Sequence, residues 1–189
     1  MITSDNRILV IDPGHGGYND YGTYDGGAVG PSGLHEADVA LGISGYLRNM
    51  AEAAGWQVLM TRIDQNGSYY LTPRAQMAND AGAALFISVH CNAAENTQAQ
   101  GAEVWVSRNA SQASIDLAAA IQQNLAGMGL WDRGVKAADF TVLTATAMPA
   151  VLVETAFISN PHEEQLLAER QEAFAAAIWR GIISWAGVA

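Results

Sequence analysis

His15, His90 and Glu154 each stand where an apolar run stops, and Glu36 opens an amphipathic stretch. The first histidine follows RILVID at 7–12, the second closes ALFISVH at 84–90, and the glutamate closes AVLVE at 150–154. Runs of this length and composition read as strands buried on both faces. In open parallel sheets ligands gather outside the carboxyl ends of the strands. Two imidazoles and an acid would then meet along one edge of such a sheet. Glu36 reaches the same edge if the glycine-rich segment 13–33 brings the start of its helix there.

Two imidazoles and one carboxylate, with a fourth position open, make a catalytic zinc donor set. Zinc lowers the pKa of bound water from ~16 to about 7, so hydroxide is available near neutral pH. A second carboxylate, off the metal, is then needed to take the proton and pass it to a leaving nitrogen. His15, Glu36 and His90 are the candidate ligands and Glu154 the candidate proton carrier. No compact His-Glu-x-x-His helix is present, so distant segments must assemble the site. Taken singly, each residue has a plain structural explanation. His15 suits a Pro-Gly turn, His90 a strand end, and Glu36 the first turn of a helix, where acids favour the dipole. Glu154 has the weakest such explanation, because a carboxylate behind four buried apolar residues is costly without a partner or a task.

The elements that must position these groups alternate along the chain. Strand patterns at 7–12, 56–61, 84–90, 102–106, 140–143 and 150–154 are separated by helical ones. The helices fall at 35–54, 71–81, 111–128, from Pro161 onward, and at 171–185. On the first helix Val39, Ile43, Leu47, Met50 and Ala54 share a stripe; on the third, Ile115, Ala118, Ala119, Gln122 and Leu125 are roughly in register. This alternation predicts an α/β fold: a twisted, mainly parallel six-stranded sheet with helices on both faces. With 189 residues and no linker or repeat, the chain reads as one domain, 1–189.

Composition narrows the functions. The net charge is −10, Lys136 is the only lysine, and no basic run exists, which speaks against nucleic acid as a partner. No apolar run approaches the ~20 residues that span a bilayer, so no membrane insertion is expected. Cys91 is the only cysteine, so an intrachain disulfide is impossible. The stretch 1–7 is short and polar, without the features of a signal peptide.

Together these segments resemble the zinc-dependent N-acetylmuramoyl-L-alanine amidases of the amidase-3 type. The matching pieces, in family order, are IDPGHGG at 11–17, GAVGPSGLHEADVAL at 27–41, LMTR at 59–62 and LTPRAQMAN at 71–79. They continue with LFISVHCNAA at 85–94, GAEVWV at 101–106, DRGVKAADFTVL at 132–143 and MPAVLVETAFISNPHEE at 148–164. The resemblance implies a phosphorylase/hydrolase-like sheet architecture and hydrolysis of the amide between N-acetylmuramic acid and L-alanine in peptidoglycan. It implies Zn2+ on His15, Glu36 and His90, with Glu154 as the catalytic glutamate. A monomer acting at the cell wall is expected, and two contexts fit a catalytic domain without signal or wall-binding repeats: a phage lysin, or the catalytic part of a secreted autolysin. Rival readings are a zinc peptidase or deacetylase on the same scaffold, and a non-catalytic wall-binding module.

Arg133, Lys136 and Asn92 are candidate substrate contacts, the two cations suiting a stem-peptide carboxylate. Ion pairing with Asp132 or Asp139 is their structural alternative, and Arg62 and Arg74 read as structural ion-pair residues. The tyrosines of 18–25 are either a groove wall facing glycan or a solvated loop. Cys91 should face away from His90 and into the core. His35 beside Glu36 is not expected to be a ligand, and His162 is expected at an exposed helix start. Only about forty residues separate His90 from DRG, as in family members without an inserted blocking helix, so an open and constitutively active site is predicted.

Overall fold

A computed structural model describes residues 6–187; residues 1–5, read above as part of a polar lead into the first strand, and 188–189 lie outside the described residues. The strands are β1 (Ile8–Pro13), β2 (Gln57–Met60), β3 (Leu85–Asn92), β4 (Ala102–Val106), β5 (Asp132–Ala137) and β6 (Ala150–Phe157). They form one sheet in the order β2-β1-β3-β6-β4-β5. β1, β2, β3 and β6 run parallel, whereas β4 lies antiparallel to β6 and carries β5 parallel to itself. The α/β architecture is thus the one the sequence pattern predicts. The amino ends of β4 and β5 share an edge with the carboxyl ends of β1, β3 and β6.

The helices are α1 (Glu36–Ala53), α2 (Leu71–Asp80), α3 (Gln112–Ala126), α4 (Thr141–Thr144), α5 (Pro161–Glu169) and α6 (Gln171–Ala186). One face of the sheet carries α1, α3 and α6, which supply Ile43, Leu47, Leu117, Ile121, Phe174 and Ile178 to the larger core. The other face carries only α2 and α4, packed through Ala78, Val142 and Leu143 on Val10, Phe86 and Leu152. This thin cover leaves sheet floor open between two short helices.

Two expectations change. Residues 140–143 are not a strand: Phe140 caps the single turn α4 (TVLT), which turns Val142 and Leu143 onto the sheet instead of extending it. The fifth strand is Asp132–Ala137, an edge strand whose alternating half-exposed residues and Gly134 hid it from a search for apolar runs. On the helices, the buried stripe of α3 is Ser114, Leu117, Ala118, Ile121, Gln122 and Leu125, leaving Ile115 and Ala119 exposed; on α1, Ala51 replaces Ala54.

The β1 end is held by buried polar groups. Asp12 accepts hydrogen bonds from Thr61 Oγ1 (2.6 Å), Ser88 Oγ (2.7 Å) and Arg74 Nη1 (2.9 Å). Arg74 also donates to the carbonyls of Pro13, His15 and Ser68, so the turn after β1 is gripped along its length. Arg62 makes no ion pair among the described residues, contrary to expectation. Its buried guanidinium donates instead to the carbonyls of Pro13, Gly14 and Ala37, tying the turn to α1. At the far side, Glu163 of α5 accepts from the backbone of Gly101 and Phe157, and Glu164 accepts from Ser32. The loop leading into Glu36 is anchored by that last contact.

Removing one partner of a buried pair strands the other charge. Arg74→Ala should therefore lower unfolding stability by about 3–5 kcal/mol, read from urea denaturation. A loss below about 1 kcal/mol, the scale of exposed ion pairs, would show that Asp12 does not need its partner.

Candidate metal centre

His15, Glu36 and His90 converge. Glu36 Oε2 lies 3.1 Å from His15 Nε2, and Glu36 Oε1 lies 3.0 Å from His90 Nδ1. One donor atom from each residue lies within 4.8 Å of the others. Two ligands bound tetrahedrally at about 2.0–2.1 Å stand roughly 3.3 Å apart, so the spacing suits a single cation. The donor set, two imidazoles and a carboxylate, is of the kind that holds imidazole-favouring divalent metals such as zinc, iron, nickel or copper.

The chain builds this site by close approach. His15 follows Pro13-Gly14 with φ +57°, a left-handed conformation that an ordinary residue adopts only when its surroundings impose it. A Cβ on Gly14 would lie 2.4 Å from the His90 ring, and one on Gly27 would lie 2.7 Å from both Glu36 Oε2 and the His15 ring. Side chains at those two positions would therefore occupy the ligands' space. Glu36 is the first residue of α1, yet its carboxylate turns away from its own helix. It accepts from the backbone of Ala28 (2.9 Å) and Cys91 (3.0 Å), so both oxygens are committed before any cation arrives.

The electrostatics agree. Burial alone would push Glu36 up, but hydrogen bonds from His15 and His90 and their charge hold it well below the usual carboxylate range. Burial pulls the His15 imidazole down, but the hydrogen bond and charge of Glu36, with Asp25, outweigh it and push the pKa up to about 9. The same carboxylate charge that favours protons on the imidazoles would favour a cation among the three donors.

Glu154 faces the triad from the next strand, its Cα in register with that of His90. Burial pushes its pKa up; His90 pulls it down, Glu36 and Glu103 raise it further, and the result is about 7. Its Oε2 is buried with no hydrogen-bond partner among the described residues. Such an atom carries a desolvation cost and points to a partner arriving from outside the chain. β3 and β6 each run on past the pair, to Asn92 and Phe157, with the register shifting between His90 and Asn92, so neither residue is the last of its strand.

A cavity of about 540 Å³ opens on these groups. His15, His90, Leu152 and Glu154 line its floor, and Tyr69, Leu71 and Phe140 its sides. Tyr18, Tyr21 and Tyr24 are not among the lining residues: 18–25 is a small hairpin closed by Tyr18 against Tyr24, with Tyr21 in solvent. Cys91 points into the larger core and burial pushes its thiol up, so it is no nucleophile. His35 precedes α1 outside the triad, and His162 is exposed at the start of α5. Arg133 and Lys136 pair with Glu103, not with Asp132 or Asp139, and Asn92 donates to the same carboxylate.

Sequence reasoning missed Asp25. Both its oxygens lie 3.0 Å from His15 Nδ1, on the side of the ring opposite the triad. That carboxylate fixes the ring's orientation and makes Nε2 the free donor, as partners of metal-binding histidines do. Only the hairpin brings it there, through Gly16 N to Asp25 O and Asp25 N to Gly17 O. An acid ten residues after a histidine carries no signal of its own.

The chain matches the amidase-3 family, described as N-acetylmuramoyl-L-alanine amidase, over residues 9–184. It is 37% identical over 184 residues to N-acetylmuramoyl-L-alanine amidase LytC of Bacillus subtilis (strain 168), covering 95% of this chain and 35% of LytC. It is 35% identical over 166 residues to the endolysin of Bacillus phage SPP1, covering 86% of this chain and 59% of the endolysin. The crystal structure of N-acetylmuramoyl-L-alanine amidase from Clostridium difficile 630 superposes with a TM-score of 0.88 at 32% identity, covering 97% and 98% of the two chains. This chain therefore spans only part of the length of LytC and of the phage protein.

Asp25→Ala should weaken zinc binding about 10–100-fold, measured by competition with a chromophoric chelator. Unaltered affinity would mean that the hairpin does not orient His15.

Proposed function

Because the chain belongs to the N-acetylmuramoyl-L-alanine amidase family, we propose that it hydrolyses the amide between N-acetylmuramic acid and L-alanine in peptidoglycan. His15, Glu36 and His90 would hold a zinc ion, and the enzyme acts as a monomer at the cell wall. The observation that carries this reading is the buried, partnerless Oε2 of Glu154 beside a three-donor cluster at the floor of an open groove. A zinc ion in such a site polarises an amide carbonyl and acidifies a water.

The chain's own groups do the rest. Glu36 stays ionised because two backbone N–H groups and two imidazoles hold its charge, so it supplies negative charge without exchanging protons during turnover. Asp25 keeps His15 Nε2 aimed at the cluster. Glu154, with a pKa raised to about 7, takes a proton from the attacking water and gives it up readily. An amide nitrogen leaves poorly as an anion, so the proton collected by Glu154 goes to the alanine nitrogen as the bond breaks. Tyr69, Leu71 and Phe140 line the groove and limit bulk water around the reacting bond.

Access supports constitutive activity. Among the described residues nothing covers the cluster, and the His15 and His90 side chains keep 28% and 18% of their surface exposed. The stretch between His90 and β5 contains the end of β3, β4, α3 and the loops that join them. No helix of the described residues is long and apolar enough to cross a membrane.

Purified cell wall should lose turbidity on adding enzyme alone, with new amino groups on L-alanine and no new reducing sugar ends. Glu154→Gln should slow this by about 10²–10⁴-fold, and a chelator should abolish it until zinc is restored. Wild-type clearing by Glu154→Gln would refute the mechanism. New amino groups on another residue would assign the chain to a different amide, and a need for an added activator would refute the open site.

A further inference from the structure

One strand across from Glu154 and in register with it, Glu103 gathers four donors on a buried carboxylate. Asn92 Nδ2 (2.8 Å) and Trp105 Nε1 (3.1 Å) donate to Oε1; Arg133 Nε (2.6 Å) and Lys136 Nζ (2.5 Å) donate to Oε2. Two cations thus share one anion. Their other expected partners are engaged elsewhere, Asp139 with Arg108 and Asp132 with Gln122. The cluster therefore keeps one positive charge in excess, in a chain whose net charge is −10. Arg133 and Lys136 retain 32% and 33% side-chain exposure, so that charge is within reach of solvent.

Both cationic heads are held from behind. The Arg133 guanidinium lies 4.8 Å from the centroid of the Phe157 ring, and Lys136 Nζ lies 5.3 Å from that of Trp105. Groups fixed in this way lose little freedom when a ligand binds. Glu103 takes one N–H from each of Arg133 and Lys136, so an incoming anion would share the two cations with it through their remaining donors.

The order of strands gives the cluster its place in the reaction, and here the inference rests on the amidase reading. The triad on β1, α1 and β3 marks the acyl side of the scissile bond, and Glu154 on β6 marks the amine side. A line from acyl to amine, prolonged, runs onto β4 and β5. With those roles, the stem peptide leaves the centre in that direction. Neighbouring strands stand about 4.8 Å apart, so β5 is roughly 10 Å from β6, and long side chains reaching back toward β4 shorten the gap. L-alanine and one further residue span at most about 7 Å. In stem peptides that next residue is a γ-linked D-glutamate, whose α-carboxyl is either free or amidated.

We propose that Arg133 and Lys136 form the subsite for this α-carboxylate, so that the enzyme prefers stem peptides in which it is free. Asn92, by holding Glu103, is a positioning residue of the subsite.

The test uses two soluble muramoyl-tripeptides that differ only in that carboxyl, free or amidated. Wild-type enzyme should show kcat/KM about 10–100-fold higher for the free acid, the worth of a charge-assisted hydrogen bond. Lys136→Gln should bring the ratio close to one, chiefly through KM, whereas Lys136→Arg should keep it. Arg133 still balances Glu103 when Lys136 loses its charge, so this variant should fold, and thermal unfolding checks that it does. Equilibrium binding of the two released peptides, followed by NMR, should show the same preference without turnover. A wild-type ratio near one, or a ratio that survives Lys136→Gln, overturns the subsite while leaving the amidase reading standing. If wild-type enzyme cleaves neither compound although it binds the free-acid peptide through Lys136, the amidase reading fails and the subsite stands.

Discussion

Everything at this centre depends on one buried carboxylate placed between two imidazoles. Glu36 is nearly sealed from water, and its charge is tolerable because the backbone of Ala28 and Cys91 takes over the hydrogen bonds that water would make. Those two N–H groups come from different parts of the chain, so the glycine loop, α1 and β3 must all be in place for the charge to be stable. Folding and ligand geometry are therefore one constraint. The left-handed turn at His15, the bare Cα atoms of Gly14 and Gly27, and the grip of Arg62 and Arg74 on nearby carbonyls follow from packing three donors within a few ångströms.

Three glutamates on this side of the sheet show how environment divides labour among identical groups. Glu36 is surrounded by donors and stays ionised. Glu103 is buried too, but the hydrogen bonds and charges of Lys136 and Arg133 overcome burial and keep it ionised. Glu154 has burial and, among the described residues, no donor on its Oε2; neighbouring acids add to the effect of burial against the pull of His90, so its proton affinity rises into the range useful near neutral pH. Where like groups are pushed apart in this way, the one left near pH 7 is the one able to take up and release a proton during a reaction.

The two faces of the sheet are similarly divided. α1, α3 and α6 cover one face with a large apolar core that bears the stability of the domain. α2 and α4 cover the other sparingly, and the gap between them is the groove. Reversing β4 and β5 relative to β6 then brings their amino ends to the reactive edge, which is how Glu103 comes to stand beside Glu154 with Arg133 paired behind it. A fully parallel sheet would put those residues at the opposite end.

Much of this was legible in the chain. Buried parallel strands need unbroken apolar runs, and the residue at which such a run stops is exposed to the reactive edge; His15, His90 and Glu154 were readable for that reason. Cys91 could be placed in the core from strand alternation alone. Glu36 was readable only through the resemblance, since a helix start suits an acid regardless of function. The edge strand Asp132–Ala137 escaped because an edge needs no apolar run, and FTVL was misread because so short a mainly apolar run does not distinguish a strand from a helical turn. Asp25 behind His15, the convergence of Arg133, Lys136 and Asn92 on Glu103, and the groove walls at Tyr69 and Phe140 were decided by tertiary structure. The physical reason is one of range. Burial along a strand is a local property written in consecutive residues, whereas a hydrogen bond between residues 33 positions apart, as between Glu103 and Lys136, exists only once the sheet has chosen its order.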